Sequence, residues 1–255
     1  GTRNVPPFRN DVVGSFLRPQ VIHEARRNLE AGKITASELR QIEDEEIKKL
    51  VAKEIENGLH AVTDGEFRRT YWHLDFLENL EGVEKVKAEE WSVHFKGHQP
   101  KAATVKITGK IGFGDHHGQD DHPVPEHAPP HLLRREENYQ LIDLYKNEDD
   151  LYRDIALAYQ EAIRTFYKTG CRYLQFDDTS WGEFCDPDKR KAYEARGLDL
   201  DKIEKNYVKM INLALEAKPA DMKITMHICR GNFRSTWFSS GGYDPVAEIL
   251  FGHCN

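Results

Sequence analysis

Two side chains able to do metal chemistry, His227 and Cys229, stand one residue apart in His227-Ile228-Cys229. They close the apolar run Met222-Lys223-Ile224-Thr225-Met226. If that run is a β-strand, residues two apart point to the same face, so an imidazole and a thiol look at one point in space. Imidazole nitrogen and thiolate sulfur are both good zinc ligands. Arg230-Gly231-Asn232 reads as a turn, which puts the pair at the C-terminal tip of a strand, where α/β proteins keep their chemistry. Alone, the pair fits a part-buried histidine beside an inert thiol better than a metal site.

Three more segments carry polar chemistry at the ends of expected strands: Val13-Gly14-Ser15-Phe16, Asp64-Gly65-Glu66-Phe67-Arg68-Arg69 and Gln175-Phe176-Asp177-Asp178. The carboxylates of Glu66 and Asp177 suit an ammonium group, and the Ser15 hydroxyl with turn amides suits a carboxylate. The same residues could instead cap turns or the helices that follow. Arg18, Arg68, Arg69, Arg230 and Arg234 each follow a strand end. They fit either a basic mouth on an acidic body, suited to a small anionic substrate, or ordinary loop arginines. Trp181, four residues beyond Asp177, is expected to pack under its loop rather than stack on a flat ligand.

The elements that must position these residues follow from periodicity. Residues 11–16 read as a short strand, with Pro19 barring helix continuation from it. Residues 35–57 form a helix: Thr35 and Glu38 make a capping box, and Leu39, Ile42, Ile47, Leu50, Val51 and Ile55 recur at helical intervals. Gly58 stops it, and residues 60–66 return as a second strand, so the crossover is parallel. Residues 104–111 alternate as a strand. Residues 112–131 form an irregular loop rich in His and Pro, including His116, His117, His122, His127 and His131, whose spacing matches no zinc motif. Helices at 150–169, 200–217 and 245–251 and a strand at 171–178 complete the pattern. Repeated strand–helix units with motifs at several strand ends predict a parallel α/β barrel rather than an open sheet, with residues 1–255 as one domain.

With 255 residues, 39% of them hydrophobic, the chain can bury a real core; a charged fraction of 31% and a mean hydropathy of -0.70 indicate a heavily solvated surface. No apolar stretch reaches membrane-spanning length, which predicts no membrane partner. A net charge of -7 argues against nucleic-acid binding. The four cysteines form no Cys-x-x-Cys pair, which favours a reducing compartment, the cytoplasm. Cys171, Cys185 and Cys254 read as ordinary thiols.

Taken together and in order, the four strand-end motifs resemble the catalytic domain of the cobalamin-independent methionine synthases, in particular the shorter single-domain relatives. The resemblance implies an α/β fold of the TIM (β/α)8 type and transfer of a methyl group from methylated, polyglutamated tetrahydrofolate to homocysteine, giving methionine. It implies that His227 and Cys229 ligate Zn2+, that Glu66 and Asp177 hold the amino group of homocysteine, and that Ser15 with the backbone of Val13 binds its carboxylate. The family takes two further zinc ligands, a Glu and a Cys from later strands, and neither appears before Asn255. The barrel is therefore expected to be incomplete at its C-terminus. No residue stands out as the general acid that should protonate the departing folate nitrogen. A relative using a corrinoid or other methyl donor, or a barrel without catalysis, are the competing readings.

Overall fold

The computed structural model describes residues 5, 12, 14–69, 81–87, 103–112, 145, 147–178, 180–228, 232–233, 236–237 and 239–254. The chain divides into two compact units, Gly1–Trp72 and His73–Asn255.

The first unit is built on two packed helices, α1 (Gln20–Glu30) and α2 (Ala36–Glu56). Pro19 closes the segment before it, as expected, but is itself the N-cap of α1, a helix the sequence reading missed. A missing N–H is no loss at a helix start, and the preset φ favours the first turn. Ile22 and Ala25, three residues apart, are the buried face of α1. Helix α2 begins with the expected capping box: the Thr35 side chain accepts from the Glu38 amide, and Glu38 accepts from the Thr35 amide at 2.7 Å. Its most buried side chains are charged, Glu43 and Glu54. The strands expected at 11–16 and 60–66 shrink to one parallel bridge, Ser15↔Gly65, with Phe16 N donating to Gly65 O at 3.0 Å. Gly14 and Gly65 both take positive φ, which breaks the extended repeat a ladder needs. The direction of the crossover is as expected.

In the second unit, β1 (Glu81–Lys87) pairs antiparallel with β2 (Ala103–Gly112), with an irregularity between Glu81 and Val83. Apart from Gly112, which ends β2, the His- and Pro-rich stretch lies outside the described residues. Helix α3 (Glu148–Lys168) starts at Asn147, whose side chain accepts from the Asp150 amide. One face of α3, from Leu151 through Ile155 and Ala158 to Ile163, is buried, and α3 packs on β2 and on a later helix.

The parallel unit follows. Strand β3 (Tyr173–Asp178) leads through α4 (Ser180–Phe184), α5 (Pro187–Ala195) and α6 (Leu200–Leu215) to β4 (Lys223–Ile228). β3 and β4 pair in parallel from Tyr173↔Lys223 to Asp178↔Ile228. Trp181, Phe184, Tyr207 and Tyr152 form an aromatic cluster, edge-on except for the tilted Phe184–Tyr207 pair. The chain continues as a two-residue ribbon, β5 (Asn232–Phe233) with β6 (Thr236–Trp237), and α7 (Asp244–His253). The architecture is mixed α/β with a parallel strand–helix–strand unit. Among the described residues the strands make three two-stranded sheets, and a closed barrel is not seen.

Candidate functional site

The chemistry-bearing residues fall on one tip in each unit. In the first unit the tip joins Gly14-Ser15 to Gly65-Glu66. Ser15 is exposed at the bridge. A Cβ on Gly14 would lie 3.9 Å from Glu66 Oε1, so the Glu66 carboxylate sits over the glycine that precedes Ser15. The structure thus brings two expected substrate-binding residues together. Val13, the third, lies outside the described residues.

Glu66 has φ 57°, the one positive value among described non-glycine residues. For an L-residue this conformation costs roughly 1–2 kcal/mol, and such outliers gather where geometry serves function. The surrounding contacts hold it. Glu66 N donates to Asp64 Oδ1 at 2.9 Å, and Arg69 pairs with the Glu66 carboxylate at 3.7 Å. Two guanidinium groups from outside the turn bind its carbonyls. Arg18 donates to the carbonyls of Glu66 at 3.0 Å, of Phe67 at 3.3 Å and of Arg69. Arg26 donates to those of Phe67 at 2.8 Å and Arg69 at 3.2 Å. Arg68 reaches Glu43 at 3.4 Å and also Asp44.

Of the two readings of these arginines, the contacts favour ordinary loop arginines over a basic mouth for Arg18, Arg68 and Arg69. Arg18, Arg68 and Arg69 are committed to backbone carbonyls and carboxylates of their own unit. Arg230 and Arg234 lie outside the described residues. Arg26 was missed, because nothing in a sequence says which carbonyls a turn leaves without partners. Thr63 was missed too. Its hydroxyl donates to Gly14 O at 2.7 Å and accepts from Gly65 N at 3.1 Å.

In the second unit, Asp177 of β3 and His227 of β4 share a register position. Parallel pairing places these two residues side by side although 49 positions lie between them in the chain. His227 is half-buried, and burial holds its pKa below the ordinary imidazole value. The neutral ring this favours is the form that binds a metal. His227 therefore fits the zinc role chemically. Cys229 lies outside the described residues, and among the described residues no three His, Cys, Asp or Glu side chains gather as a metal cage.

The neighbouring positions resolve two sequence expectations. Trp181 is fully buried, edge-on to Phe184 at 5.8 Å and to Tyr207 at 6.2 Å, so it packs rather than stacks on a ligand. Cys254 follows α7 and lines an apolar cavity of about 240 Å³ with Phe176, Ile224, Met226, Leu250 and Phe251, as suits an ordinary thiol.

The segment after β6 is pinned by a clamp the sequence reading did not identify. Asp186, the N-cap of α5, accepts from Ser240 N at 2.8 Å and Ser240 Oγ at 3.2 Å. Lys189 Nζ reaches Ser239 Oγ at 3.0 Å. Burial alone would push the Asp186 carboxyl up, but the amides of Ser240, Lys189 and Asp188 and the Ser240 hydroxyl outweigh it and hold it below its ordinary value. The aspartate-proline pair that opens α5 was the available signal.

With this geometry in view, comparison with known proteins is informative. Residues 8–114 match the family described as cobalamin-independent synthase, catalytic domain. The chain is 45% identical over 264 residues to the uncharacterized protein YxjG of Bacillus subtilis (strain 168), an alignment that takes in 99% of this chain and 70% of YxjG. It is 25% identical over 236 residues to a 5-methyltetrahydropteroyltriglutamate–homocysteine methyltransferase of Thermotoga petrophila, covering 90% of this chain and 30% of that protein. Its structure is similar to a crystal structure of a Listeria monocytogenes protein provisionally named a vitamin-B12 independent methionine synthase. That match has a TM-score of 0.69 and 39% identity, and covers 98% of this chain and 71% of that one. The chain therefore belongs to the cobalamin-independent methionine synthase family.

Proposed function

We propose that this protein is a zinc-dependent methyltransferase that moves the methyl group of methylated (polyglutamyl) tetrahydrofolate to homocysteine, forming methionine, on a TIM (β/α)8-type barrel that takes in residues 1–255. The observation that carries the reading is the shared register of Asp177 and His227, which sets a carboxylate residue beside the expected metal ligand at one strand tip. A free thiol with a pKa of roughly 8.5 is only a few per cent ionised at neutral pH, so an unassisted homocysteine sulfur is a poor nucleophile. Zinc, when held by His227 and Cys229, supplies the Lewis acidity that ionises a thiol. Glu66 and Asp177 bind the substrate ammonium, and Ser15 with the Val13 backbone binds its carboxylate. Those two anchors orient the side chain so that its sulfur faces the methyl donor. As the methyl–nitrogen bond breaks, sulfur gains the methyl group and the folate nitrogen takes up a proton.

The reading places the enzyme in the cytoplasm, working on small molecules; among the described residues, no helix is long and apolar enough to cross a membrane. The test measures zinc content together with methionine formation from homocysteine and methylated folate. Cys229→Ser is expected to lose both zinc and transfer while its unfolding midpoint barely moves. Asp177→Asn is expected to raise the homocysteine KM about tenfold or more at unchanged zinc content. Full activity in Cys229→Ser overturns the ligand assignment; zinc loss in Asp177→Asn overturns the role of Asp177.

A further inference from the structure

The tips carrying Ser15 and Glu66 meet at an isolated bridge, not along a ladder. One backbone hydrogen bond, Phe16 N to Gly65 O, accompanies that bridge. Arg18 also reaches across to the carbonyls of Glu66, Phe67 and Arg69, and the residues just before Ser15 and Glu66 are joined through one hydroxyl. Thr63 Oγ1 donates to Gly14 O at 2.7 Å and accepts from Gly65 N at 3.1 Å, one residue before Ser15 and one before Glu66. The backbone of Thr63 is fixed in turn: its amide donates to both carboxylate oxygens of Glu54, at 3.2 and 3.3 Å, from the last turn of α2. Glu54 is only 3% exposed, so that acceptor is itself held in place.

We propose that Thr63, backed by Glu54, is a positioning residue for amino-acid recognition: its hydroxyl fixes the spacing between Ser15 and Glu66 so that one tip can bind a substrate's carboxylate and ammonium together. The inference rests on the reading of Ser15 and Glu66 as that subsite, and extends it to a residue assigned no contact with substrate. Two hydrogen bonds from one short side chain set the spacing more tightly than the lone bridge could. Loss of the hydroxyl leaves Gly14 O and Gly65 N free to shift, and both recognition groups move with them.

The test is calorimetric titration of the full chain with methionine. This ligand has the amino and carboxylate groups of homocysteine but no thiol to ionise, so its binding reports the subsite independently of zinc. Thr63→Val keeps the shape and removes the hydroxyl; it is expected to weaken methionine binding about tenfold. Thr63→Ser restores the hydroxyl and is expected to bind within about twofold of wild type. Should Thr63→Val not fold, Thr63→Ala removes the same hydroxyl without a bulky replacement and carries the same expectation. Glu66→Gln separates the two layers of the argument. If it weakens binding, and Thr63→Val on the Glu66→Gln background adds nothing further, Thr63 acts through Glu66. If Glu66→Gln weakens binding while folded Thr63→Val or Thr63→Ala binds like wild type, the role of Thr63 is overturned and the subsite stands. Unchanged binding in Glu66→Gln overturns the subsite itself. Weak binding in Thr63→Ser equal to that of Thr63→Val reduces Thr63 to a packing residue and overturns the proposal.

Discussion

At the scale of single residues, Glu66 sets stability against recognition. Its φ of 57° suits glycine, yet a glutamate stands there, anchored by Arg69 through its side chain and by Arg18 through its carbonyl. Glu66→Gly removes the steric cost of the left-handed backbone and the Arg69 pair at the same time. The pair joins a part-buried carboxylate to a buried guanidinium, with side chains 19% and 9% exposed, so its loss leaves Arg69 a buried charge with one partner fewer. Glu66→Ala loses the same pair but keeps the Cβ, so Glu66→Gly is expected to be more stable than Glu66→Ala by about 1 kcal/mol, while both lose methionine binding. Urea unfolding beside calorimetry checks both halves; equal stability in the two variants would show that the conformation is not strained. The residue types at this tip were legible because a carboxylate and a hydroxyl at strand ends announce recognition. The strain was not, since no letter of a sequence spells the sign of φ. The arginines stayed ambiguous for a related reason. A guanidinium beside a strand end looks ready for a ligand until the carbonyls of the Glu66–Arg69 turn are seen to occupy it.

At the scale of elements, helices declared themselves where one face must be buried over several turns. Helix α3 shows its period from Leu151 to Ile163, and α2 shows its capping box. β1 did not, because Glu81-Gly82-Val83-Glu84-Lys85-Val86-Lys87 has only two apolar residues and no clean alternation. Helices α4 and α5 are too short for a period to emerge, and the Asp186-Pro187 start, which the sequence reading passed over, is the one signal of α5. What these short elements do is hold the segment that follows β4. Gly241 is the tightest point of that hold, with φ 103° and a position where a methyl group would run into the Cys185 carbonyl oxygen. Gly242, its neighbour, has open space at the same distance. Gly241→Ala is expected to cost about 2 kcal/mol or more, by strain and by displacing the clamp at Asp186. Gly242→Ala is expected to stay within about 0.5 kcal/mol of wild type. Thermal or urea unfolding of the pair checks this; equal losses in both would mean that the close approach to Cys185 carries no energy.

For the whole molecule, the acidic balance of 43 Asp and Glu against 36 Lys and Arg hides carboxylates with opposite effects on stability. Asp186 sits below its ordinary value, so its contribution is present at neutral pH and is lost as the pH falls through its folded pKa. Glu54 behaves in reverse. Burial pushes its carboxyl up, the Thr63 amide opposes that, and the nearby Asp64 adds to the rise. A carboxyl whose folded pKa lies above its ordinary 4.5 favours the fold when protonated. That advantage is full below 4.5 and disappears as the pH rises through the folded value. Glu54→Gln keeps an acceptor for Thr63 and removes the charge. Any cost of burying the extra amide N–H is the same at every pH, so a comparison between two pH values isolates the charge. The stability of Glu54→Gln relative to wild type is therefore expected to be more favourable at pH 8 than at pH 4, as measured by urea unfolding at each. A difference that stays constant would mean that folding leaves the Glu54 pKa unshifted, and one that turns in favour of wild type as the pH rises would mean that the fold stabilises a charged Glu54. The helix end beneath the Ser15–Glu66 tip would then be held by a full ionic acceptor, and the positioning of Thr63 would itself depend on pH.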